Sequence, residues 1–191
     1  MNNIEIIKLL EDKEILIDDN WYFHATNNNL ETIKSILNEG IKSASLLNKK
    51  GNNFNGKYFI SLFKNTDEAQ SLILWLKDRL KFVINDISPL YADRSKLNFR
   101  KNFINTRIPL RTSEWDGEYQ QYLKIDRENI IALEYSLFNL ISNPNYSNAK
   151  EDLLFLKSII LYLEEINSSL PIYDLSSSRE INKQKLLTLN I

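Results

Sequence analysis

Three residues carry side chains suited to chemistry and stand in or beside stretches that read as strands: His24, Tyr58 and Glu118. His24 is the only histidine of the chain and directly follows Trp21, Tyr22 and Phe23. Its ring can donate or accept a hydrogen bond, although a strand histidine taken alone is more often a half-buried residue with one partner. Tyr58 belongs to "KYFISLF", residues 57–63, an aromatic run that by itself reads as a core strand. Glu118 opens "EYQQYLKI" directly after a loop. A carboxylate at a strand's first residue is usually solvated, yet strand ends fed by loops are where sites collect. A fourth stretch, "ADRSKLNFRKNFINTRIPLR" at 92–111, holds Arg94, Lys96, Arg100, Lys101, Arg107 and Arg111 against the single acid Asp93. Tyr91, Phe99 and Phe103 flank or interleave these cations. Such a patch can receive phosphates or single-stranded nucleic acid, or be a solvated basic loop.

Composition narrows the chemistry. The chain has no cysteine, which rules out disulfides, thiol catalysis and cysteine-ligated metal and fits a reducing compartment. One histidine and no His-Glu-x-x-His pattern leave no metal site to expect. Lys+Arg 24 against Asp+Glu 25 gives a formal charge of −1, so net charge selects neither nucleic acid nor membrane. The opening "MNNIEIIKLLEDKEIL" carries acids inside its apolar run, unlike a signal peptide, and no apolar run reaches membrane-spanning length. A cytoplasmic protein is expected.

The elements that must position these residues can be read from periodicity. The 191 residues, 43% hydrophobic and 26% charged, suit a single domain over 1–191 with one real core. The spacing of Ile4, Ile7 and Leu10 predicts a short amphipathic helix over 3–14. Residues 21–25 read as a strand. Asn28 and Glu31 form a capping-box pattern ahead of a helix with Leu30, Ile33 and Leu37 on one face and Gly40 as its stop. Strands are expected at 57–63 and 81–86, with a helix over 67–80 opened by Thr66, Asp67 and Glu68. Two more strands, 118–125 and 129–137, are joined by the polar turn Asp126–Glu128. A helix over 149–166 places Leu153, Leu156, Ile160 and Leu163 on one face, and the tail is polar before turning helical from Ser178. The class is α+β.

In order and spacing, these stretches resemble ADP-ribosyltransferases of the diphtheria-toxin and poly-ADP-ribose polymerase type. There an aromatic strand ends His-Gly-Thr and the next helix closes with Gly; here "WYFHAT" precedes a helix ending "ILNEGIK". "GKYFISLF" is similar to that family's Gly-x-Tyr-Phe strand, and Glu118-Tyr119 to its late Glu-Tyr pair. The resemblance covers about residues 20–137 as a catalytic core, with the helix and tail 149–191 beyond it. It implies two packed, mainly antiparallel sheets with flanking helices. It also implies NAD as co-substrate, bound by His24, Ala25, Thr26, Tyr58 and Thr66. His24 would bond a ribose hydroxyl, the backbone at Ala25 would hold the carboxamide, and Tyr58 would stack on nicotinamide. Glu118 would stabilise the oxocarbenium-like sugar formed as nicotinamide leaves, which a fixed carboxylate in a poorly hydrated cleft does better than water. The loop ahead of the Glu selects the acceptor in the family, which points to Arg111, Glu114 and Trp115. The acceptor would be a protein or a nucleic acid. Family habit and chain size suggest a toxin, effector or defence protein, one delivered into a target cell's cytoplasm included, with an inhibitor or antitoxin partner; no membrane partner is expected, since no apolar run is long enough.

The sequence departs from the family at two places. Gly is replaced by Ala25, and no aromatic stands near Ala69, where the family often places a second stacking tyrosine; Phe63 or Trp75 would have to substitute. The missing stacking aromatic keeps open a catalytically inactive module of the same fold that binds NAD or a protein, and the basic stretch 92–111 keeps open a nucleic-acid-binding domain whose His, Tyr and Glu are structural.

Overall fold

A computed structural model of the chain describes residues 3–49, 57–64, 80–91, 118–143 and 145–190. The class is α+β. In chain order the described elements begin with α1 (Asn3–Ile7), β1 (Leu10–Glu14), β2 (Tyr22–Ala25), α2 (Leu30–Glu39) and β3 (Ile41–Lys42). Then come β4 (Phe59–Lys64), β5 (Lys81–Ile84), β6 (Leu90–Tyr91), β7 (Glu118–Tyr122) and β8 (Lys124–Ile125). The last are β9 (Ile130–Glu134), α3 (Phe138–Ser142), α4 (Ala149–Glu165), β10 (Ile172–Asp174), β11 (Arg179–Ile181) and α5 (Lys183–Thr188). Nine strands form one sheet in the order β1-β11-β10-β9-β5-β2-β4-β7-β6, and β3 pairs with β8 in a second, two-stranded sheet. Of the described pairs, β9 with β10 is parallel and the rest are antiparallel.

Strand pleating sorts the central residues onto two faces. Tyr22, Ile60, Leu62, Phe82, Ile84 and Leu133 join the main core, together with Ile33 and Leu37 of α2 and Leu153, Leu156, Ile160 and Leu163 of α4. The α4 stripe expected from spacing is thus buried along its whole length. The opposite face carries the smaller cluster of Phe23, Val83 and Ala132, joined by Trp21 and Tyr173, whose rings stack at 5.9 Å. β5 is buried at all four positions, as a central strand covered on both sides should be.

The helix over 3–14 is not what forms. Helical structure ends at Ile7, and β1 follows from Leu10. The helical spacing failed because Ile6, Leu9 and Leu10 are the buried residues, while Ile7 stays 45% exposed. Beyond Leu10 the run Glu11–Glu14 is charged, suited to the edge strand it forms against β11. The tail also differs. Instead of a polar stretch and a helix from Ser178, it forms the hairpin β10–β11, and helix begins at Lys183. Asp174 builds the turn of that hairpin, accepting from Ser176 Oγ and Ser177 Oγ, each at 2.6 Å. The strands expected at 118–125 and 129–137 exist, and the polar turn between them is a short 3-10 turn at Arg127–Asn129. They do not pair with one another: β7 lies against β4 and β6, and β9 against β5 and β10. The helix expected over 67–80 lies outside the described residues.

α2 is fixed at both ends. Asn29, not Asn28, caps it, its side chain accepting from Thr32 N–H at 2.9 Å, a contact worth about 1 kcal/mol. Asn28 instead accepts Leu80 N–H at 3.1 Å and ties the end of β2 to the start of β5. At the other end Gly40 takes φ +81°, and its N–H bonds Ile36 C=O at 2.8 Å. A Cβ there would stand 2.2 Å from Ile125 O, so glycine alone lets α2 pass directly into β3 against β8.

Candidate functional site

β2, β4 and β7 are consecutive neighbours in the sheet. They carry or directly follow the three residues singled out by type: His24 in β2, Tyr58 immediately before β4, and Glu118 at the first position of β7. Stretches up to 94 residues apart in sequence are therefore brought side by side. Phe23 pairs with Phe63, and Phe63 with Glu118. Two strand spacings and one residue of rise put Glu118 Cα on the order of 10 Å from His24 Cα. Tyr58 does not stand in the strand expected over 57–63: Lys57 and Tyr58 are helical, and β4 begins at Phe59, three positions before Leu62, the residue level with His24.

The register also separates these positions. Phe23, Phe63 and Glu118 occupy one cross-strand row, and directly opposed residues share a face. His24, next to Phe23, belongs to the other face with Phe82, its partner on β5. Phe63 shares the row of Phe23, so it does not stand over a ring held on the His24 face.

His24 is half-buried and its Nδ1 lies 3.0 Å from Ser61 C=O. Burial holds its pKa below the ordinary value, and the carbonyl offsets this in part. The ring is neutral at neutral pH. A carbonyl only accepts, so the proton sits on Nδ1 and Nε2 keeps a lone pair. His24 thus offers an acceptor to a hydroxyl. The end of β2 is anchored beside it: Ala25 pairs with Lys81, Thr26 N–H donates to Leu80 C=O at 3.0 Å, and Thr26 Oγ1 donates to Asn27 Oδ1 at 3.4 Å. Tyr58 is half-buried, and its carbonyl accepts Leu123 N–H at 2.8 Å while Lys57 Nζ stands 5.3 Å from its ring centre. Thr66, Arg111, Glu114 and Trp115, the basic stretch 92–111, Ala69 and Trp75 lie outside the described residues.

Two polar constellations were not foreseen. Lys81 and Glu134, each 1% exposed, face one another across β5 and β9 in a buried ion pair, with Asp174 also buried nearby. Burial pushes the Glu134 carboxyl up, Lys81 opposes this, and Asp174 adds to it. Removing one partner of such a pair costs about 3–5 kcal/mol, because a charge is left buried alone. The second is Lys64, whose Nζ lies 5.0 Å from the Tyr22 ring centre and 5.9 Å from that of Tyr119. In a single sequence both lysines read as solvated, since nothing local pairs Lys81 with a residue 53 positions on. Among the described residues no group of three His, Cys, Asp or Glu side chains could hold a metal. No described helix is long and apolar enough to cross a membrane.

No family model matches the chain, and no curated protein matches it.

Proposed function

We propose that the chain is a small NAD-dependent ADP-ribosyltransferase, with a fold of the ADP-ribosyltransferase type, that moves ADP-ribose to a protein or nucleic acid and releases nicotinamide. The observation that carries the reading is the strand order β2-β4-β7, which makes neighbours of the three short motifs that resemble the family's His, Tyr and Glu strands. In this reading Nε2 of the neutral His24 accepts a ribose hydroxyl, and the backbone of Ala25 meets the carboxamide. Tyr58 supplies an aromatic face and Glu118 the negative charge. As the glycosidic bond to nicotinamide breaks, positive charge grows on the sugar, and a carboxylate already fixed nearby stabilises it without reorganising. Thr66 would add a hydroxyl to the NAD site, and Arg111, Glu114 and Trp115 would meet the acceptor.

The test is incubation with labelled NAD and cell extract, following nicotinamide release and label transfer. Wild type should show both, and Glu118→Gln should lower them by at least about a hundredfold. Equal activity of wild type and Glu118→Gln would remove Glu118 from the mechanism.

The shared row of Glu118 with Phe23 and Phe63 favours a second reading, a silent module of the same fold that binds NAD and leaves it intact. Calorimetric binding of NAD by a wild-type chain that releases no nicotinamide would select it.

A further inference from the structure

Lys64 ends β4 and pairs with Tyr22 of β2. Tyr119, the second residue of β7, pairs with Leu62 on one side and Tyr91 on the other. The rings of Tyr22 and Tyr119 meet edge to face, with centres 5.0 Å apart and planes at 72°. Lys64 Nζ stands within 6 Å of both centres, the range in which a ring face attracts a cation. Tyr22 is buried and Lys64 and Tyr119 are half-buried, so water screens the cluster only in part. Burial raises the Tyr22 phenol's pKa, Lys64 opposes this by its charge and a side-chain hydrogen bond, and Asp86, just past β5, and Tyr119 add to the rise. One ammonium therefore ties together β2, β4 and β7, the same three strands that carry the candidate site. The Glu118 peptide joins directly to Tyr119, so whatever fixes Tyr119 restrains the Glu118 backbone.

We propose that Lys64 is a positioning residue: through the Tyr22–Tyr119 pair it fixes the start of β7, and with it Glu118, without itself holding NAD. The proposal rests on the NAD-cleaving reading given above. It assigns the lysine to the rate of the bond-breaking step and not to affinity. Removing a cation that only orients a strand should leave the pocket's contacts with NAD intact. Removing a cation that binds the pyrophosphate should weaken NAD first.

The experiment is steady-state nicotinamide release by wild type, Lys64→Met, Lys64→Arg, Tyr119→Leu and the double variant Lys64→Met/Tyr119→Leu, each shown to be folded by urea unfolding. Lys64→Met should lower kcat about tenfold with KM for NAD within about twofold, and Lys64→Arg should return kcat to within about threefold of wild type. Tyr119→Leu should show the same loss, and the double variant no further loss, because both act through one clamp. If Lys64→Met does not fold, Tyr119→Leu carries the kinetic comparison, and an unchanged kcat in it overturns the proposal. A raised KM with kcat held would make Lys64 a ligand contact and overturn it, as would additive losses or failure of arginine to restore the rate. A wild-type chain that turns over NAD no faster than Lys64→Met sinks the positioning role alone. A wild-type chain with no turnover sinks the NAD-cleaving reading and this role with it.

Discussion

At the scale of single residues, His24 joins the sheet's mechanics to its chemistry. Its Nδ1 is spent on Ser61 C=O, and burial disfavours the charged ring. The unfolded chain has no such burial, so its imidazole titrates near about 6.5. Below that pH the unfolded state binds a proton that the native state resists. The stability that His24 gives is therefore full above about pH 6.5 and is lost as pH falls toward the lower native pKa. His24→Gln cannot titrate. The difference in unfolding free energy, wild type minus variant, should shrink as urea titrations move from pH 7.5 to 5, by at most about 1.4 kcal/mol per pH unit. The half-buried ring should give less than that limit. A flat difference would mean that the ring is as solvated as in the unfolded chain.

At the scale of elements, the small sheet β3·β8 links the helix that follows His24 to the turn that receives Tyr58. α2 ends at Gly40, β3 pairs with β8, and Leu123, between β7 and β8, holds φ +57°. Leu123 N–H donates to Tyr58 C=O, and Leu123 C=O accepts Ser43 N–H, both at 2.8 Å. Left-handed backbone is costly for leucine and worse for a β-branched residue, so this pivot is held by its neighbours. Gly40→Ala should lower stability by at least about 2 kcal/mol, since it adds left-handed strain to a Cβ that meets Ile125 O. Leu123→Ile keeps the volume and should still cost about 1–2 kcal/mol, whereas Leu123→Asn should fall closer to wild type. Urea midpoints rank the three. An alanine tolerated at position 40 would contradict the close approach of α2 to β8. Gly40 as a helix stop was legible in the sequence from its place after the apolar stripe. Leu123 was not, because a leucine between two strand stretches carries no turn signal.

At the scale of the molecule, what the sequence could and could not reveal follows the range of the interactions. Strands 22–25, 59–64, 81–84 and 130–134 and helix 149–165 were readable because aromatic density and helical spacing are local signals. The site strands were readable as short motifs in order. Their adjacency was not, and neither was the placement of His24 and Glu118 in different cross-strand rows, because register is fixed by pairing between distant segments. The same limit hid the roles of the two ends. β1, from the N-terminal stretch, pairs with β11, and β10 lies parallel to β9, so the last segments extend the sheet that holds His24 instead of hanging beyond it. Ile172, Ile181 and Leu186 are fully buried in the same core as Phe82 and Leu62. Burying an aliphatic side chain contributes about 1.5–3 kcal/mol, and three of them approach the whole stability of a domain. A chain ending after Ser168 would also leave one edge of β9 unpaired and Leu133 N–H without its acceptor, Pro171 C=O. Such a truncation should lose cooperative urea unfolding, seen by tryptophan fluorescence, and with it any NAD binding. A truncated chain that still unfolds in one sharp transition would show that 20–137 with α4 is stable alone. β10, β11 and α5 would then be an attachment to the site's scaffold and not a part of it.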